Sequence, residues 1–313
     1  MATASPAGDT RNPMRSWLVL LLCAVAAPAQ QLLLSANDNL SYGPYAVGWP
    51  SSVIAFRFTA PATTTLAGAQ VFTGNQASAT HSVEIRTRNA TTGLPDTLLG
   101  QAGGWLSVHA RCWQGAEFVQ PAAITAGEDY FLVWRVQGMF PQHSVAADAE
   151  PGNVLVEARY SDGNAWHAMA IVPAKFRLFA SGVSGALSTF GAGKAGQYGV
   201  PSIGVNGWPA RGNPIDVWLD DAARNVLAVL VLGTPIPGGV PLGWVDLYVT
   251  PDILLPFVTK THSSPLVGAT THSLFVPDDP SWNGFPLAMQ WGVFDPLAAD
   301  GFSHSPAVLA LYP

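Results

Sequence analysis

The sequence predicts an all-β protein with two β-sandwich domains in tandem after a cleaved signal peptide. Charged residues make up only 11% of the 313 residues, whereas surface helices are usually rich in Lys and Glu. Gly and Pro are abundant, with 31 and 26 residues, and they indicate many turns between short strands. Apolar residues recur with a period of two, and only the short stretch Asp220–Ala223 allows as much as one helical turn.

The first 29 residues have the three parts of a signal peptide. Two arginines precede the apolar run 17–27, and Ala27-Pro28-Ala29 supplies small residues for cleavage. Met14 is an alternative start, because the segment that begins there has the full pattern. The run is too short to span a bilayer, so a retained anchor is the less favoured alternative. We expect an exported chain, in the periplasm, on the outer surface or outside the cell, with no transmembrane segment after cleavage.

The first domain is expected at residues 30–181, around a central strand at Tyr130–Val136. This run follows the turn Thr125–Asp129 and is apolar on both faces, which is typical of a strand in the middle of a sheet. Other strands are predicted on both sides of it, and together they suffice for a two-sheet sandwich. They lie at Leu32–Leu34, Val53–Phe58, Leu66–Phe72, His81–Arg88, Glu117–Val119, Val154–Tyr160, Ala165–Ile171 and Lys175–Ala180.

A linker is expected at residues 182–190, where small residues show no apolar periodicity. The second domain then covers residues 191–313. The stretch Pro235–Gly243 is so rich in Gly and Pro that it predicts a turn. Strands are predicted at Ile215–Leu219, Val226–Leu232, Val245–Val249, His272–Val276, Leu287–Val293 and Ala307–Leu311.

Residues that could carry catalysis or bind a metal are scarce. If Cys23 leaves with the signal peptide, Cys112 stands alone in an alternating stretch, which favours a buried strand thiol. The seven histidines do not form the close pairs of zinc motifs. Asp278 and Asp279 lie between prolines and are predicted to shape a turn. We therefore predict no catalytic residue, no metal ligand and no cofactor. The net charge of −6 argues against nucleic acid as a partner.

Aromatic residues are the stronger indication of function. The chain has 11 Trp, and sugar rings stack on aromatic faces while short polar side chains bind their hydroxyls. Two clusters combine these residue types and are predicted as ligand-binding sites. They are Tyr42, Tyr45 and Trp49, close to Asn37–Asn39, and the hairpin group Asp162, Asn164, Trp166 and His167. The alternative for any one Trp is burial in the core, as expected for Trp134, Trp218 and Trp291.

Residues 35–180 resemble a known class of module. The stretches Val83–Arg86, Thr92–Asp96 and Ala126–Val133, with Trp166 after its turn, are similar to jelly-roll or β-sandwich modules of secreted bacterial proteins. This class is akin to carbohydrate-binding modules and "choice-of-anchor" domains. The resemblance implies a jelly-roll fold and glycan binding. It also implies a structural calcium, for which the sequence has no matching ligand string.

Residues 191–313 have a separate resemblance, carried by Phe190–Gly193 and Asn283–Trp291. They are similar to C-terminal domains of exported bacterial proteins with no known activity. Three functions follow as hypotheses from the whole chain. The first is a non-catalytic exported protein that binds a glycan, another cell-surface polymer or the cell envelope. The second is a structural component of the cell surface that interacts with an envelope protein, and the third is a hydrolase that acts on polysaccharide.

Overall fold

The computed structural model describes residues 30–36, 44–48, 53–74, 79–137, 142–146, 157–161, 165–168, 174–182, 184–261 and 267–313. The predicted signal peptide, residues 1–29, lies outside these ranges. The described strands pair antiparallel, and the only helical element among them is a 3-10 turn at Pro280–Trp282. The all-β prediction is confirmed. No described helix is long and apolar enough to cross a membrane.

The strands of the N-terminal half, β1 to β13, form one long sheet and a separate pair. The long sheet has the order β1-β13-β4-β8-β6-β5-β9-β3-β11-β12, with β7 paired to β5, while β2 pairs with β10. The strands are Leu32–Ala36 (β1), Pro44–Gly48 (β2), Val53–Thr59 (β3), Thr64–Thr73 (β4), Thr80–Arg88 (β5), Pro95–Ala102 (β6), Trp105–Leu106 (β7), Cys112–Ile124 (β8), Asp129–Gln137 (β9), Gln142–Ala146 (β10), Ala158–Ser161 (β11), Trp166–Ala168 (β12) and Phe176–Ala180 (β13).

Two parts of the long sheet, β1-β13-β4-β8 and β6-β5-β9-β3, share one core, as in a sandwich. We call these two parts its arms. Leu66 and Phe176 come from one arm, and Ile54 and Trp134 come from the other. All four side chains are at most 1% exposed. Burial of this apolar surface, at roughly 25 cal/mol per Å², is the main force that holds the two arms together.

β9 lies between β5 and β3, so the predicted central strand is confirmed. Its two faces are both apolar. Leu132 and Trp134 pack in the main core, and Phe131 and Val133 pack in a smaller cluster on the opposite face. The turn before it places Gly127 at φ +81°, a conformation that glycine adopts without a steric penalty.

The C-terminal half, β14 to β24, forms a five-stranded sheet, a four-stranded sheet and a two-stranded ribbon. Their orders are β14-β24-β23-β17-β20, β15-β16-β22-β21 and β18-β19. The strands are Ala186–Phe190 (β14), Ser202–Asn206 (β15), Pro214–Ala222 (β16), Leu227–Gly233 (β17), Pro235–Pro241 (β18), Asp246–Val249 (β19), Ile253–Val258 (β20), Lys260–Thr261 (β21), Gly268–Phe275 (β22), Pro286–Phe294 (β23) and Phe302–Leu311 (β24).

The two larger sheets of this half pack face to face. Val217 from the four-stranded sheet, and Leu230, Met289 and Trp291 from the five-stranded sheet, are fully buried between them. The ribbon covers part of the other face of the five-stranded sheet, where Val249 packs with side chains of β17, β23 and β24. The five-stranded sheet is therefore covered on one face by the second sheet and on part of the other face by the ribbon.

Three stretches of the C-terminal half differ from the structure that was predicted for them, and strands β15, β20 and β21 were not predicted. Pro235–Pro241, which was predicted to turn, is strand β18, because a two-stranded ribbon tolerates proline at positions without a ladder bond. Asp220–Ala222, where one helical turn was allowed, ends strand β16. Residues 186–190, placed in the linker, form β14 and pair with β24. β14 is mostly exposed on both faces. Neither face therefore requires apolar residues, and the sequence lacks the apolar alternation that predicts a strand.

Strand β16 joins the two halves through the polar side chains on its outer face. Its inner face packs in the core of the C-terminal half. On the outer face, Asp216 Oδ2 accepts the backbone N–H of Trp113 at 2.6 Å, and Asp220 Oδ2 accepts that of His109 at 2.7 Å. Both carboxylates are nearly fully buried. Two acids of one half therefore bind the backbone of segment 107–113 of the other.

Further contacts between the halves lie beside this one. Trp208 packs on Phe179, with 4.4 Å between ring centroids. The Asn213 amide accepts the N–H of Leu32 at 2.9 Å and donates to the carbonyl of Gln30 at 2.7 Å. The amide thereby bonds the backbone at β1 as a neighbouring strand would. The halves are therefore joined by apolar packing and by hydrogen bonds.

Candidate functional site

An apolar pocket of about 230 Å³ lies on the outer face of the five-stranded sheet. Strand alternation sends Ala228 and Leu230 into the core, so the intervening Val229 and Val231 of β17 lie on the outer face. These two valines and Leu254 of β20 line the sheet side of the pocket, and the end of the ribbon lines the opposite side. The lining surface is wholly apolar, which suits an apolar or aromatic part of a ligand.

The ribbon wall is a tight turn between β18 and β19. The N–H of Leu242 donates to the carbonyl of Val245 at 2.8 Å, and Gly243 between them has φ +85°. Glycine at the first central position is typical of a two-residue hairpin turn. The other central residue is Trp244, so the turn carries its indole to the rim of the pocket.

Two buried polar residues of the sheet hold the ribbon in place. Gln290 accepts the N–H of Tyr248 at 3.0 Å through Oε1 and donates to the carbonyl of Asp246 at 3.0 Å through Nε2. His304 Nε2 accepts the N–H of Asp246 at 3.3 Å. The polar groups at the pocket floor are therefore used by the ribbon, and this explains the apolar lining.

These bonds also define the tautomer of His304. Because Nε2 accepts a hydrogen bond, the proton lies on Nδ1, from which it reaches the carbonyl of Ser305 at 3.0 Å. Burial lowers the pKa of this imidazole from its ordinary value. The neutral form is thus the one that binds the ribbon.

Aromatic rings at the rim remain half exposed. Trp244 is 48% exposed and Phe294 is 46% exposed. Both meet the buried Phe302 edge to face, with centroid distances of 4.7 and 5.0 Å. Leaving about half of an indole in water forgoes roughly 2–3 kcal/mol of burial. Such surface is available to a ligand.

An ion pair lies at the backbone of the residue that carries the exposed indole. Lys194 Nζ donates to the backbone carbonyl of Trp244 at 2.9 Å and to the carboxylate of Asp300. Asp300 is more than half exposed and can accept further bonds. We call Trp244, Phe294, Lys194 and Asp300 the Trp244 shelf. The shelf combines partly exposed aromatic rings with a charged donor and a charged acceptor.

Of the predicted hairpin cluster, two residues are described. Trp166 and His167 lie on β12, which pairs with β11, so the predicted hairpin is confirmed. Trp166 is partly buried and packs against the small cluster around Phe131. The ring of His167 stacks on Tyr160 with 4.9 Å between centroids. Sequence neighbours on a strand point to opposite faces, so the two side chains do not converge.

Four of the five remaining predicted ligand residues lie outside the described ranges, namely Tyr42, Trp49, Asp162 and Asn164. Tyr45 lies in β2, where its backbone pairs with Val145 of β10. Their assignment as ligand residues stays a prediction.

Sequence reasoning missed the Trp244 shelf. The available signal was the Leu242–Val245 turn, which displays a Trp between two apolar neighbours. Lys194 and Asp300 are 106 positions apart and gave no local pattern. No protein-family model and no curated protein matches the chain. The shelf is therefore interpreted from its own geometry.

Proposed function

We propose that the protein is an exported, non-catalytic binding module whose Trp244 shelf binds a glycan. The observation that carries the proposal is the half-exposed indole of Trp244 beside the Lys194–Asp300 pair. The C–H face of a sugar ring packs on an aromatic face, and its hydroxyls both donate and accept hydrogen bonds. The shelf offers an aromatic ring for packing, Lys194 as a hydrogen-bond donor and Asp300 as a hydrogen-bond acceptor. Export is proposed from the N-terminal signal pattern.

Hydrolysis is not supported at this position. The residues that line the pocket include no Asp or Glu. A glycosidase of the usual kind needs two carboxylates on opposite sides of the scissile bond. The proposal is therefore restricted to binding.

A structural role at the cell surface is the second candidate. Strand β20 is at an edge of the five-stranded sheet. Its Ile253, Leu254 and Val258 are each more than half exposed. An apolar edge strand is a surface on which another chain can add a strand. This observation favours an interaction with a protein partner.

The test is a binding assay with soluble polysaccharides and a glycan array. Trp244→Ala should weaken binding about tenfold or more, because it removes the stacking surface. Trp166→Ala is the comparison variant, since Trp166 is a partly buried Trp of the N-terminal half and belongs to the other predicted ligand site. Circular dichroism shows whether both variants keep the strand content.

Two results would overturn the glycan proposal at this site. One is the absence of binding to any glycan, in which case sedimentation that shows self-association would favour the structural role. The other is binding that survives Trp244→Ala and is lost with Trp166→Ala, which would move the site to the β11–β12 hairpin.

A further inference from the structure

A β-bulge near the end of β16 brings two neighbouring acids to one side of the strand. The pairing of β16 with β22 shifts between Leu219 and Ala222, so β16 contains one extra residue there. Asp221 has φ +56°, a left-handed conformation that Asp tolerates better than most residues. Neighbouring residues on a regular strand point to opposite faces. Here the bulge places the carboxylates of Asp220 and Asp221 close together.

An imidazole from the N-terminal half completes the group. One ligand atom each from His109, Asp220 and Asp221 can be chosen so that all three lie within 4.8 Å of one another. His109 Nδ1 is 3.2 Å from Asp220 Oδ1. Ligand atoms that share one tetrahedral zinc ion, each about 2.0–2.2 Å from it, are roughly 3.4 Å apart. The three atoms would therefore have to approach one another by at most about 1.4 Å, a movement for which the partly exposed His109 and Asp221 side chains have room.

The surrounding hydrogen bonds orient the two carboxylates. Asp220 Oδ2 accepts the His109 N–H, and its Oδ1 accepts the N–H of Asp221 at 3.0 Å. Asp221 Oδ2 accepts the hydroxyl of Ser202 at 3.0 Å. Within the described residues, Asp221 Oδ1 accepts no hydrogen bond. Bonds of this kind around a metal ligand fix its orientation.

We infer that His109, Asp220 and Asp221 form a site for a divalent transition-metal ion of the Zn²⁺ type at the contact between the two halves. One imidazole nitrogen and two carboxylate oxygens form a mixed N/O set, which such ions accept, whereas Ca²⁺ and Mg²⁺ prefer oxygen ligands alone. Binding replaces the Nδ1 proton of His109 with the ion and releases that proton to solvent. Water fills the remaining coordination positions, because His109 and Asp221 are partly exposed.

A simple ion pair between His109 and Asp220 is the competing explanation. It accounts for the 3.2 Å contact. It does not involve the carboxylate of Asp221, which the bulge turns towards the pair and whose Oδ2 accepts the hydroxyl of Ser202. The two explanations differ in whether Asp221 and an added metal ion matter.

The experiment adds ZnCl₂, CoCl₂ or CaCl₂ to the full chain after dialysis against EDTA. Zn²⁺ should raise the Tm, because an ion that joins both halves binds only the folded protein. Co²⁺ should produce a visible d–d absorption band, and Ca²⁺ should have little effect. His109→Gln and Asp221→Asn should each weaken Zn²⁺ binding at least about tenfold. Asn tolerates the left-handed conformation, so Asp221→Asn should keep the bulge.

The control is the double variant Asp278→Asn with Asp279→Asn. It removes two neighbouring acids at the exposed 3-10 turn, and it should bind Zn²⁺ like the unmodified chain. The inference is overturned if the unmodified chain does not bind Zn²⁺. It is also overturned if both His109→Gln and Asp221→Asn bind Zn²⁺ as tightly as the unmodified chain.

Discussion

His81 is a buried histidine whose environment favours the neutral form. It is 3% exposed and lies beside the rings of Trp105 and Trp134, with centroids 5.2 and 5.7 Å away. Trp134 Nε1–H donates to His81 Nδ1 at 3.0 Å, so that nitrogen carries no proton. Burial lowers the pKa of His81 to about 4. Protonation would both charge a buried ring and break the bond from Trp134.

The stability of the protein should therefore depend on pH through His81. The unfolded imidazole titrates near pH 6.5, so between there and about pH 4 the unfolded chain binds more protons. The neutral His81 contributes fully to the free energy of unfolding above pH 6.5. This contribution, up to about 3 kcal/mol, is lost as the pH falls from 6.5 to about 4. His81→Gln should flatten the dependence of the urea midpoint on pH. An unchanged slope in this variant would contradict the assignment.

At the scale of elements, the β18–β19 ribbon is stabilised by the sheet beneath it. A two-stranded ribbon is marginally stable alone. Here Val249 packs on the sheet, and Gln290 and His304 bond three backbone groups of β19. Because the ribbon forms one wall of the pocket, the shape of the pocket depends on the hydrogen bonds of Gln290 and His304.

Gln290→Leu should loosen the ribbon. The change leaves the N–H of Tyr248 and the carbonyl of Asp246 without their partner, at a cost of about 1–3 kcal/mol in the free energy of unfolding. Hydrogen exchange at the Tyr248 amide should become faster, and the summed Trp fluorescence, to which Trp244 contributes, should shift to the red. Gln120→Leu, on an exposed position of β8, is the control and should change neither signal. Exchange that is equally slow in both variants would contradict this role of Gln290.

At the scale of the whole molecule, the contact between the halves depends on close approach at Gly68. A Cβ atom at this position would lie 2.7 Å from Cζ2 of Trp208 and 3.0 Å from the carbonyl oxygen of Ala116. Trp208 is 8% exposed and packs on Phe179, so it has little room to move. Glycine at this position lets the indole of one half lie against β4 of the other.

Gly68→Ala should therefore destabilise the contact between the halves. Overpacking of this kind costs about 1–3 kcal/mol, which chemical denaturation measures. Gly103→Ala is a matched control, because no atom lies within 4 Å of a Cβ built there. Equal midpoints for the two variants would show that Trp208 can move away at no cost.

Much of the secondary structure could be predicted from local pattern. Apolar residues on both faces placed β9 at the centre of its sheet, turn residues identified the β11–β12 hairpin, and burial of the Cys112 thiol was predicted correctly. The turn at Asp279 was also correct, since its carboxylate accepts the N–H of Ser281. Several strands were missed, and among them β14 and β18 show why, because an exposed edge strand and a proline-rich ribbon owe their form to the strands they pair with.

The sequence by itself determined the strands that have a regular pattern of faces, such as β9 and β17, because side chains on a strand alternate between faces whatever the fold around them. Only the tertiary structure decided what each face meets. In β16, Asp216 and Asp220 have the alternation of a solvent-exposed face, yet both are buried against the other half. The pocket likewise exposes Trp244 and hides Trp291. A local pattern shows which side chains of a strand share a face. Which segment packs on that face depends on residues about a hundred positions away, such as Trp113 for Asp216.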